Sequence, residues 1–306
     1  MYALLRMSAC VATILLFGSC KNLERPVGPI AVNGSLDLST YYFTDQWTPL
    51  SGAWEFFPGQ YIQKGEPSND HPEYIKVGNV WNDRFKDGTG FASYRLRLKL
   101  PPGSYALHVP DAGTAYSLYC NGQIIATGGT IGQNATEEKP RLLVQTVPLC
   151  PGTEIELIQQ VSNFHSRWGG FWFPLELGNA QEVQAKARRL VARDFVLMGG
   201  MALIGLYHLA LFLIRPNDRS TLYFFFYCFC ISLRAGLIGE RVLIQIFPEL
   251  PWDIAYRMEI ASIYCAVGIP MFYLRSLFPG TVGRFAFLFY TIGGFSLAAV
   301  VAVTPN

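Results

Sequence analysis

The chain has few charged residues and almost no net charge. Lysine, arginine, aspartate and glutamate make up 15% of its 306 residues, whereas about 25% is usual in soluble domains, so a purely soluble protein is not expected. The 24 basic and 22 acidic residues nearly cancel, which leaves no electrostatic basis for binding nucleic acid. Because 51% of the residues are apolar, the composition also excludes intrinsic disorder.

The sequence lacks the motifs of common catalytic and cofactor sites. It contains no phosphate loop, and no Gly-x-Gly-x-x-Gly follows a predicted strand. The four histidines have no metal-ligand spacing with one another or with a cysteine. Glu137 and Glu138 are adjacent, so an extended chain would point them in opposite directions, which suits a solvated loop better than a catalytic acid and base. We therefore expect no enzymatic activity, no cofactor and no metal.

The apolar residues are concentrated in four runs in the second half of the chain. The runs cover residues 195–214, 221–238, 254–278 and 285–303, and the first is long enough to cross ~30 Å of hydrocarbon as a helix. Four buried helices of a soluble protein are the alternative, but a domain this small cannot cover four such helices on all sides. We predict an all-α bundle of transmembrane helices in residues 195–306.

The N-terminus has the layout of a secretory signal in residues 1–20. Arg6 precedes a short apolar stretch, and small residues lead to Cys20. Residues 16–20, Leu-Phe-Gly-Ser-Cys, resemble the bacterial lipobox, in which the cysteine is lipidated, although Phe17 stands where leucine is usual. Lipidation of Cys20, simple cleavage and a retained anchor all stay open. Residues 21–35 are interpreted as a linker.

Residues 36–178 have the pattern of short β-strands in an exported domain. In residues 91–100 alternate positions are apolar, and Arg95, Arg97 and Lys99 fill positions between them, which predicts one buried face and one wet face carrying these cations. Seven or more such strands without a helical pattern predict an antiparallel β-sandwich. The fold class expected is therefore an all-β sandwich followed by the helical bundle.

Two local features of this domain concern a turn and a pair of cysteines. Asn121 and Gly122 favour the positive φ angles of a type I′ turn in a β-hairpin. Among the seven cysteines, Cys120 and Cys150 lie in the exported part. An oxidising compartment would allow a disulfide between them, but their separation in sequence does not determine their geometry. The sequence is therefore compatible with both a bonded and a free pair of cysteines.

The strand-rich domain resembles a known carbohydrate-associated module. The similarity lies in Gly-Phe-Ala-Ser-Tyr-Arg at 90–95, Leu-Pro-Pro at 100–102 and Gly-Thr-Ala-Tyr-Ser-Leu-Tyr-Cys-Asn-Gly at 113–122. These stretches look like the galactose-binding-like jelly-roll module that precedes the catalytic barrel in some glycoside hydrolases. That module is not catalytic. The resemblance implies that the exported sandwich is a jelly roll.

A second resemblance extends into the helices. Val-Ser-Asn-Phe-His at 161–165 and Gly-Gly-Phe-Trp at 169–172 are followed by Gly-Leu-Tyr-His at 205–208 and Gly-Glu-Arg at 239–241. Together they are similar to bacterial seven-transmembrane receptors with diverse intracellular signalling modules, the 7TMR-DISM family. The similarity covers about residues 50–278. It implies a sensor made of an exported sandwich, a linker over 179–194 and a helical bundle.

The given sequence departs from that family at its end. Such receptors have seven helices followed by a cytoplasmic kinase, cyclase or phosphatase, whereas this sequence stops at Asn306 after a fourth span. We expect either a truncated product or a chain that acts with a downstream signalling protein carrying the missing C-terminal effector. The resemblance therefore implies ligand sensing and membrane anchoring, and assigns no signalling output to these residues.

The orientation of the spans is inferred from the export signal. Basic residues near the span ends are more numerous on the sandwich side, which by the positive-inside rule would place the sandwich in the cytoplasm. An export signal, however, delivers the long domain first, and residues 195–214 then act as a stop-transfer helix. We expect a multi-pass protein of the bacterial cytoplasmic membrane with its sandwich periplasmic or extracellular. The basic run at 186–193 favours the reverse topology, which is the alternative.

One loop of the sandwich is a candidate ligand site. It contains Asn163, His165, Arg167, Trp168 and Trp172. Aromatic ring faces stack on the C–H surfaces of sugars, while amide and guanidinium groups bond their hydroxyls. We predict that these residues bind a small, carbohydrate-like ligand. The alternative is that the two tryptophans pack the sandwich against the linker and the membrane surface.

Charged residues near the span ends are candidates for signal coupling. Arg234, Glu240, Arg241 and Glu259 would be unfavourable in lipid unless they are paired. We expect a salt-bridged rim under the sandwich that passes a change in the sandwich to the helices. Snorkelling of the same side chains to lipid headgroups is the alternative.

The sequence as a whole predicts a membrane-bound sensor. Its partners would be a small or carbohydrate ligand, the lipid bilayer and a signalling effector, and not a nucleic acid. Two other functions stay open at this point. The chain could be the accessory carbohydrate-binding part of a membrane-tethered glycosidase, or an envelope module that docks another protein.

Overall fold

The first half of the chain forms two β-sheets around one apolar core. The computed structural model describes residues 28–43, 47–66 and 72–303. The strands in chain order are β1 Ser35–Asp37, β2 Thr48–Pro49, β3 Gly52–Pro58, β4 Glu73–Val77, β5 Gly90–Lys99, β6 Tyr105–Val109, β7 Ala115–Cys120, β8 Gln123–Gly128, β9 Gln145–Pro148, β10 Glu154–Asn163 and β11 Glu176–Asn179. The predicted signal segment and Cys20 lie outside the described residues.

The two sheets are almost entirely antiparallel. The larger has the order β4-β3-β5-β10-β7-β8, with β1 parallel to part of β5, and the smaller has the order β2-β11-β6-β9. Apolar side chains from both sheets, such as Trp54, Leu96, Leu107 and Leu177, belong to one buried cluster. This arrangement confirms the predicted β-sandwich.

Strand β5 follows the predicted alternation on its apolar side but not on its polar side. Tyr94 and Leu96 are buried as expected. Arg95 was expected on a wet face, and that prediction is wrong, because its side chain is fully buried and its Nε lies 2.8 Å from Glu55 Oε2. β5 lies between β3 and β10, and Arg95 Nη1 donates to the carbonyl of Glu66. The segment after β3 therefore covers this face of the sheet.

The sandwich contains the predicted hairpin turn and a disulfide between its two cysteines. Asn121 and Gly122 join β7 to β8 with φ angles of 49° and 86°, as the predicted hairpin turn requires. Cys120 and Cys150 form a disulfide, with their Cα atoms 6.0 Å apart. The bond links the end of β7 in the larger sheet to the segment after β9 in the smaller sheet.

The second half is helical. Its helices are α1 Ala180–Ile214, α2 Arg219–Leu237, α3 Val242–Ile246, α4 Trp252–Leu277 and α5 Arg284–Val303. Four of them, all except the short α3, are long and apolar enough to cross a membrane. In the described residues α1 packs on α2, α2 on α4 and α4 on α5. The chain is thus a sandwich followed by a multi-pass helical bundle, as predicted.

Helix α1 connects the two halves without a break. The residues interpreted as a linker, 179–194, form the strand end Asn179 and the first turns of this 35-residue helix. Val183 and Ala187 on these turns pack against Trp47 of the sandwich. The helix that contains the first apolar run is therefore packed on the sandwich at its start.

Candidate functional site

A cavity of about 880 Å³ lies where the sandwich meets the helices. We call it the junction cavity. Its polar and aromatic lining comes from both halves of the chain: Trp47, His108, Asp111, Phe173 and Glu176 from the sandwich, and Lys186, Arg189, Glu240, Arg241 and Glu259 from the helical half. A molecule inside it would touch both halves at once.

The helical wall of the cavity includes the turn between α2 and α3, residues 238–241, which we call the coupling turn. Gly239 has a φ of 65°, and a Cβ at this position would lie 2.6 Å from Asp194 Oδ2. The next backbone N–H, that of Glu240, donates to the same oxygen at 3.0 Å. The buried Asp194 on α1 therefore fixes the coupling turn and requires a glycine beside it.

Arg241 ties the coupling turn to two other parts of the molecule. Its Nε lies 3.2 Å from Asp111 Oδ2 in the sandwich, and its Nη1 pairs with the Glu259 carboxylate on α4. Burial alone would lower the pKa of Arg241, but the two carboxylates raise it. The guanidinium therefore stays charged and bridges the sandwich and the bundle.

The other predicted coupling residues lie around this bridge. Arg234 donates to the backbone carbonyl of Glu259 at 3.3 Å. Glu240 turns the other way, toward the sandwich, and its Oε1 lies 3.6 Å from His108 Nε2 on β6. The structure thus brings Arg234, Arg241 and Glu259 together and places Glu240 in a separate contact on the same turn.

The contact between His108 and Glu240 is buried, and this burial shifts both groups toward their neutral forms. His108 stacks on Trp47, with ring centroids 4.3 Å apart. Burial, and then the nearby charge of Lys186, lowers the pKa of His108 to about 4. Burial, and then the carboxylate of Asp194, raises the pKa of Glu240 to about 7. At neutral pH the imidazole is uncharged and the carboxyl is close to its midpoint.

The predicted ligand loop, residues 163–172, lies elsewhere on the same end of the sandwich. None of its five predicted ligand residues lines the junction cavity, although Phe173, which follows directly, does. Asn163 is fully buried, its Nδ2 donates to the carbonyls of Gly88 and Ser166, and its Oδ1 accepts from the N–H of Ser166. The Asn163 amide therefore holds the loop and does not face solvent.

The remaining residues of the ligand loop differ in exposure. Trp168 is 46% exposed, and the Arg167 guanidinium lies over its ring, 5.6 Å from the centroid. Trp172 is half-buried and packs over Gly113. Gly113 in turn accepts a hydrogen bond from the indole of Trp252 at the start of α4. The loop therefore has an exposed part and a part that lies close to the bundle.

His165 is positioned by a buried acid that sequence reasoning placed in a solvated loop. Glu138 is 3% exposed and accepts hydrogen bonds from Ser162 Oγ, at 2.8 Å, and from the N–H of Phe164, at 2.7 Å. Its Oε2 also lies 2.8 Å from His165 Nδ1. The prediction that Glu138 lies in a solvated loop was therefore wrong. The chain around Glu138 is not extended, so its position next to Glu137 did not determine where the two side chains point.

Comparison with known families identifies the helical half. Residues 192–306 match the family model described as 7TM diverse intracellular signalling. The match covers all four apolar runs and less than half of the chain. The resemblance predicted from the sequence is therefore confirmed, and the chain is a multi-pass membrane protein whose bundle is of the 7TM diverse intracellular signalling type.

Comparisons beyond the 7TM diverse intracellular signalling family concern the sandwich. No curated protein matches the chain. Among solved structures, the sandwich is similar to a β-glucuronidase from an uncultured Clostridium sp. (16% identity, TM-score 0.33, 43% of this chain, 28% of that chain). It is also similar to a GH2 β-galacturonidase from Eisenbergiella tayi (15%, 0.31, 46%, 26%) and a β-glucuronidase from Faecalibacterium prausnitzii (15%, 0.32, 43%, 31%). The chain spans less than a third of each enzyme.

Sequence reasoning missed the groups that the sandwich and α1 supply to the 7TM-type bundle. Trp47, His108, Asp111 and Asp194 all contact the coupling turn or line the junction cavity with it. Asp194 carried a usable signal, because it is an acid directly before an apolar span. The other three lie in or next to strands, where no local pattern distinguishes a residue that faces the bundle.

Proposed function

We propose that this chain is a bacterial membrane receptor that binds a small, carbohydrate-like ligand in the junction cavity. The observation that carries the proposal is the shared lining of that cavity by sandwich and helices. A ligand that fits one relative arrangement of the two halves better than another shifts the population toward that arrangement. Binding in the junction cavity would in this way change the positions of the helices.

The chemistry of the cavity suits a polyhydroxylated ligand. Phe173, which is 47% exposed, offers aromatic surface for the C–H face of a sugar ring. The Trp47 ring is buried in the cavity wall, with Lys186 Nζ 4.1 Å from its centroid. The Trp47 indole N–H is buried and, among the described residues, has no hydrogen-bond partner. Lys186 and Arg189 add donors, and Glu176 adds carboxylate oxygens. Such a mixture of flat rings, donors and acceptors can satisfy several hydroxyl groups at once.

The signal would leave the cavity through the coupling turn. Arg241 connects the sandwich to α4, and Asp194 connects the turn to α1, so a displacement of the turn is transmitted to two spans. We infer that the helices pass this displacement to a signalling effector or partner protein, as the name of the family implies. The receptor would lie in the cytoplasmic membrane with its sandwich on the periplasmic or outer side.

The exposed part of the ligand loop is a second candidate surface for the same ligand. His165 is held by Glu138, and Trp168 presents nearly half of its surface with Arg167 over the ring. A sugar could stack on this tryptophan while the guanidinium bonds its hydroxyls. Of the five residues predicted from the sequence, these three are the ones that this second surface would use.

A calorimetric titration with paired variants tests the proposal and separates the two surfaces. The full chain, reconstituted in lipid nanodiscs, would be titrated with glucose, galactose, N-acetylglucosamine and their disaccharides. For a sugar that binds, Phe173→Ala should weaken binding about tenfold, equivalent to about 1.4 kcal/mol, while Trp168→Ala should leave it unchanged. The reverse result would place the ligand on the loop, and the absence of heat with every sugar would overturn the carbohydrate assignment.

A further inference from the structure

The junction contains a buried proton-binding contact that the proposed sugar site does not use. His108 comes from the sandwich and Glu240 from the coupling turn, and their side chains are 8% and 10% exposed. The contact therefore crosses the boundary between the two halves of the molecule. One of its two groups titrates well below neutral and the other close to neutral, and both are shielded from bulk water.

We propose that the His108–Glu240 contact is a proton-sensing switch, in which the gain or loss of one proton changes how firmly the sandwich holds the coupling turn. When Glu240 carries its proton, an uncharged carboxyl faces an uncharged imidazole. When the proton leaves, a carboxylate remains beside the Asp194 carboxylate, which accepts the hydrogen bond that fixes the same turn. Two like charges near one another in a shielded site repel each other strongly.

The charged surroundings of the contact come from every element packed against it. They are Glu176 on β11, Lys186, Arg188, Arg189, Arg193 and Asp194 on α1, Asp111 after β6 and Arg241 on the coupling turn. Arg241 is neutralised by Asp111 and Glu259, so it does not compensate a new charge on Glu240. Asp194 is itself paired with Arg193, whose Nη2 lies 2.9 Å from Asp194 Oδ1. The Arg193 cation lowers the pKa of Glu240, but the raising effect of Asp194 is the larger of the two.

The direction of the pH dependence follows from the two shifts. The pKa of Glu240 is raised from 4.5 to about 7. The stability that protonated Glu240 gives to the junction is therefore fully present below pH 4.5 and is lost as the pH rises through about 7. The pKa of His108 is lowered from 6.5 to about 4. The stability that neutral His108 gives to the junction is therefore fully present above pH 6.5 and is lost as the pH falls through about 4. The junction is therefore held most firmly at mildly acidic pH and loosens on the alkaline side of neutral.

Fluorine NMR of Trp47, which stacks on His108, reports the state of the contact. The full chain would carry 5-fluorotryptophan in nanodiscs, and Trp47→Phe would assign the resonance. We expect the Trp47 signal to shift with a midpoint near pH 7. The midpoint should disappear in Glu240→Gln, move to lower pH in Asp194→Asn and move to higher pH in Arg193→Gln. Glu249→Gln, which removes an exposed carboxyl on the same side of the bundle, should leave the midpoint unchanged.

The opposite shifts in the Asp194 and Arg193 variants keep the test decisive even if Glu240→Gln folds poorly. A purely structural role for these residues would change the stability of the chain without moving a titration midpoint in opposite directions. A Trp47 resonance that does not titrate between pH 5.5 and 8.5, or that titrates identically in all variants, would overturn the proposal. The sugar titration is separate, so this result does not depend on the ligand.

Discussion

At the scale of single residues, Arg241 makes the strongest connection between the two halves of the molecule. Its guanidinium lies between Asp111 of the sandwich and Glu259 of α4. Without the cation, two carboxylates would face each other in a site with little water, and breaking a buried ion pair in this way costs about 3–5 kcal/mol. We predict that Arg241→Gln lowers the free energy of unfolding by about 3 kcal/mol. Arg241→Lys should recover only part of it, because an ammonium lacks the planar fork of donors.

The measurement is a urea titration of the full chain in detergent micelles, followed by the near-ultraviolet circular dichroism of the tryptophans. Arg189→Gln is the matched control, since Arg189 lines the same cavity but has no carboxylate within 4.0 Å in the part of the chain that the structure describes. Its effect should stay within about 0.5 kcal/mol. Equal losses in the two variants would show that the bridge does not stabilise the junction.

Only one side of this bridge could be predicted from the sequence. Arg241 and Glu259 stand out because charges beside apolar spans need partners, and that reasoning applies to any membrane helix. Asp111 and His108 do not stand out, because their positions depend on how the sandwich sits on the bundle. The choice of Asn163 as a ligand residue had a related weakness. An amide suits a sugar, but it equally suits a buried loop whose backbone groups need partners.

At the scale of elements, the coupling turn depends on a glycine next to a buried carboxylate. Gly239 and Gly280 both have positive φ angles, 65° and 82°, so alanine at either position adds similar backbone strain. A Cβ at Gly239 would also meet Asp194 Oδ2 at 2.6 Å, whereas a Cβ at Gly280 would have nothing within 4 Å. We predict that Gly239→Ala destabilises the chain by at least ~1 kcal/mol more than Gly280→Ala.

A double-mutant cycle identifies the cause of that difference. In an Asp194→Ala background the carboxylate is gone, so the extra loss caused by Gly239→Ala should largely vanish in the same urea titration. An extra loss that persists without Asp194 would assign the effect to backbone strain alone, and the argument that Asp194 fixes the coupling turn would fail.

The elements themselves were largely predictable, and the exceptions have a common cause. Alternation of apolar residues in β5, the turn residues Asn121 and Gly122, and the four apolar runs all predicted structures that were found. Arg95 was predicted to be exposed to solvent, but it is buried because a segment distant in sequence covers it. The start of α1 was missed because its charged first turns, residues 180–194, lack the apolar pattern of a span. Local patterns predict which element forms, but not what packs on it.

At the scale of the whole molecule, the disulfide and the order of the two halves bear on orientation. Cys120 and Cys150 are bonded, and protein disulfides persist mainly in oxidising compartments such as the periplasm or the cell exterior. The sandwich precedes the first span, so an N-terminal export signal would deliver the whole sandwich before α1 stops transfer. Both arguments favour the outer side, against the basic residues at 186–193, which favour the cytoplasm.

Protease protection decides between these topologies. We predict that protease added to intact spheroplasts removes the sandwich and leaves the helices in the membrane, as expected for a sandwich on the outer side. A cytoplasmic enzyme in the same cells, intact before lysis and degraded after it, shows that the membrane was closed. A sandwich that survives until the spheroplasts are lysed would establish the reverse topology. In that case the ligand and the protons sensed at the junction would come from the cytoplasm.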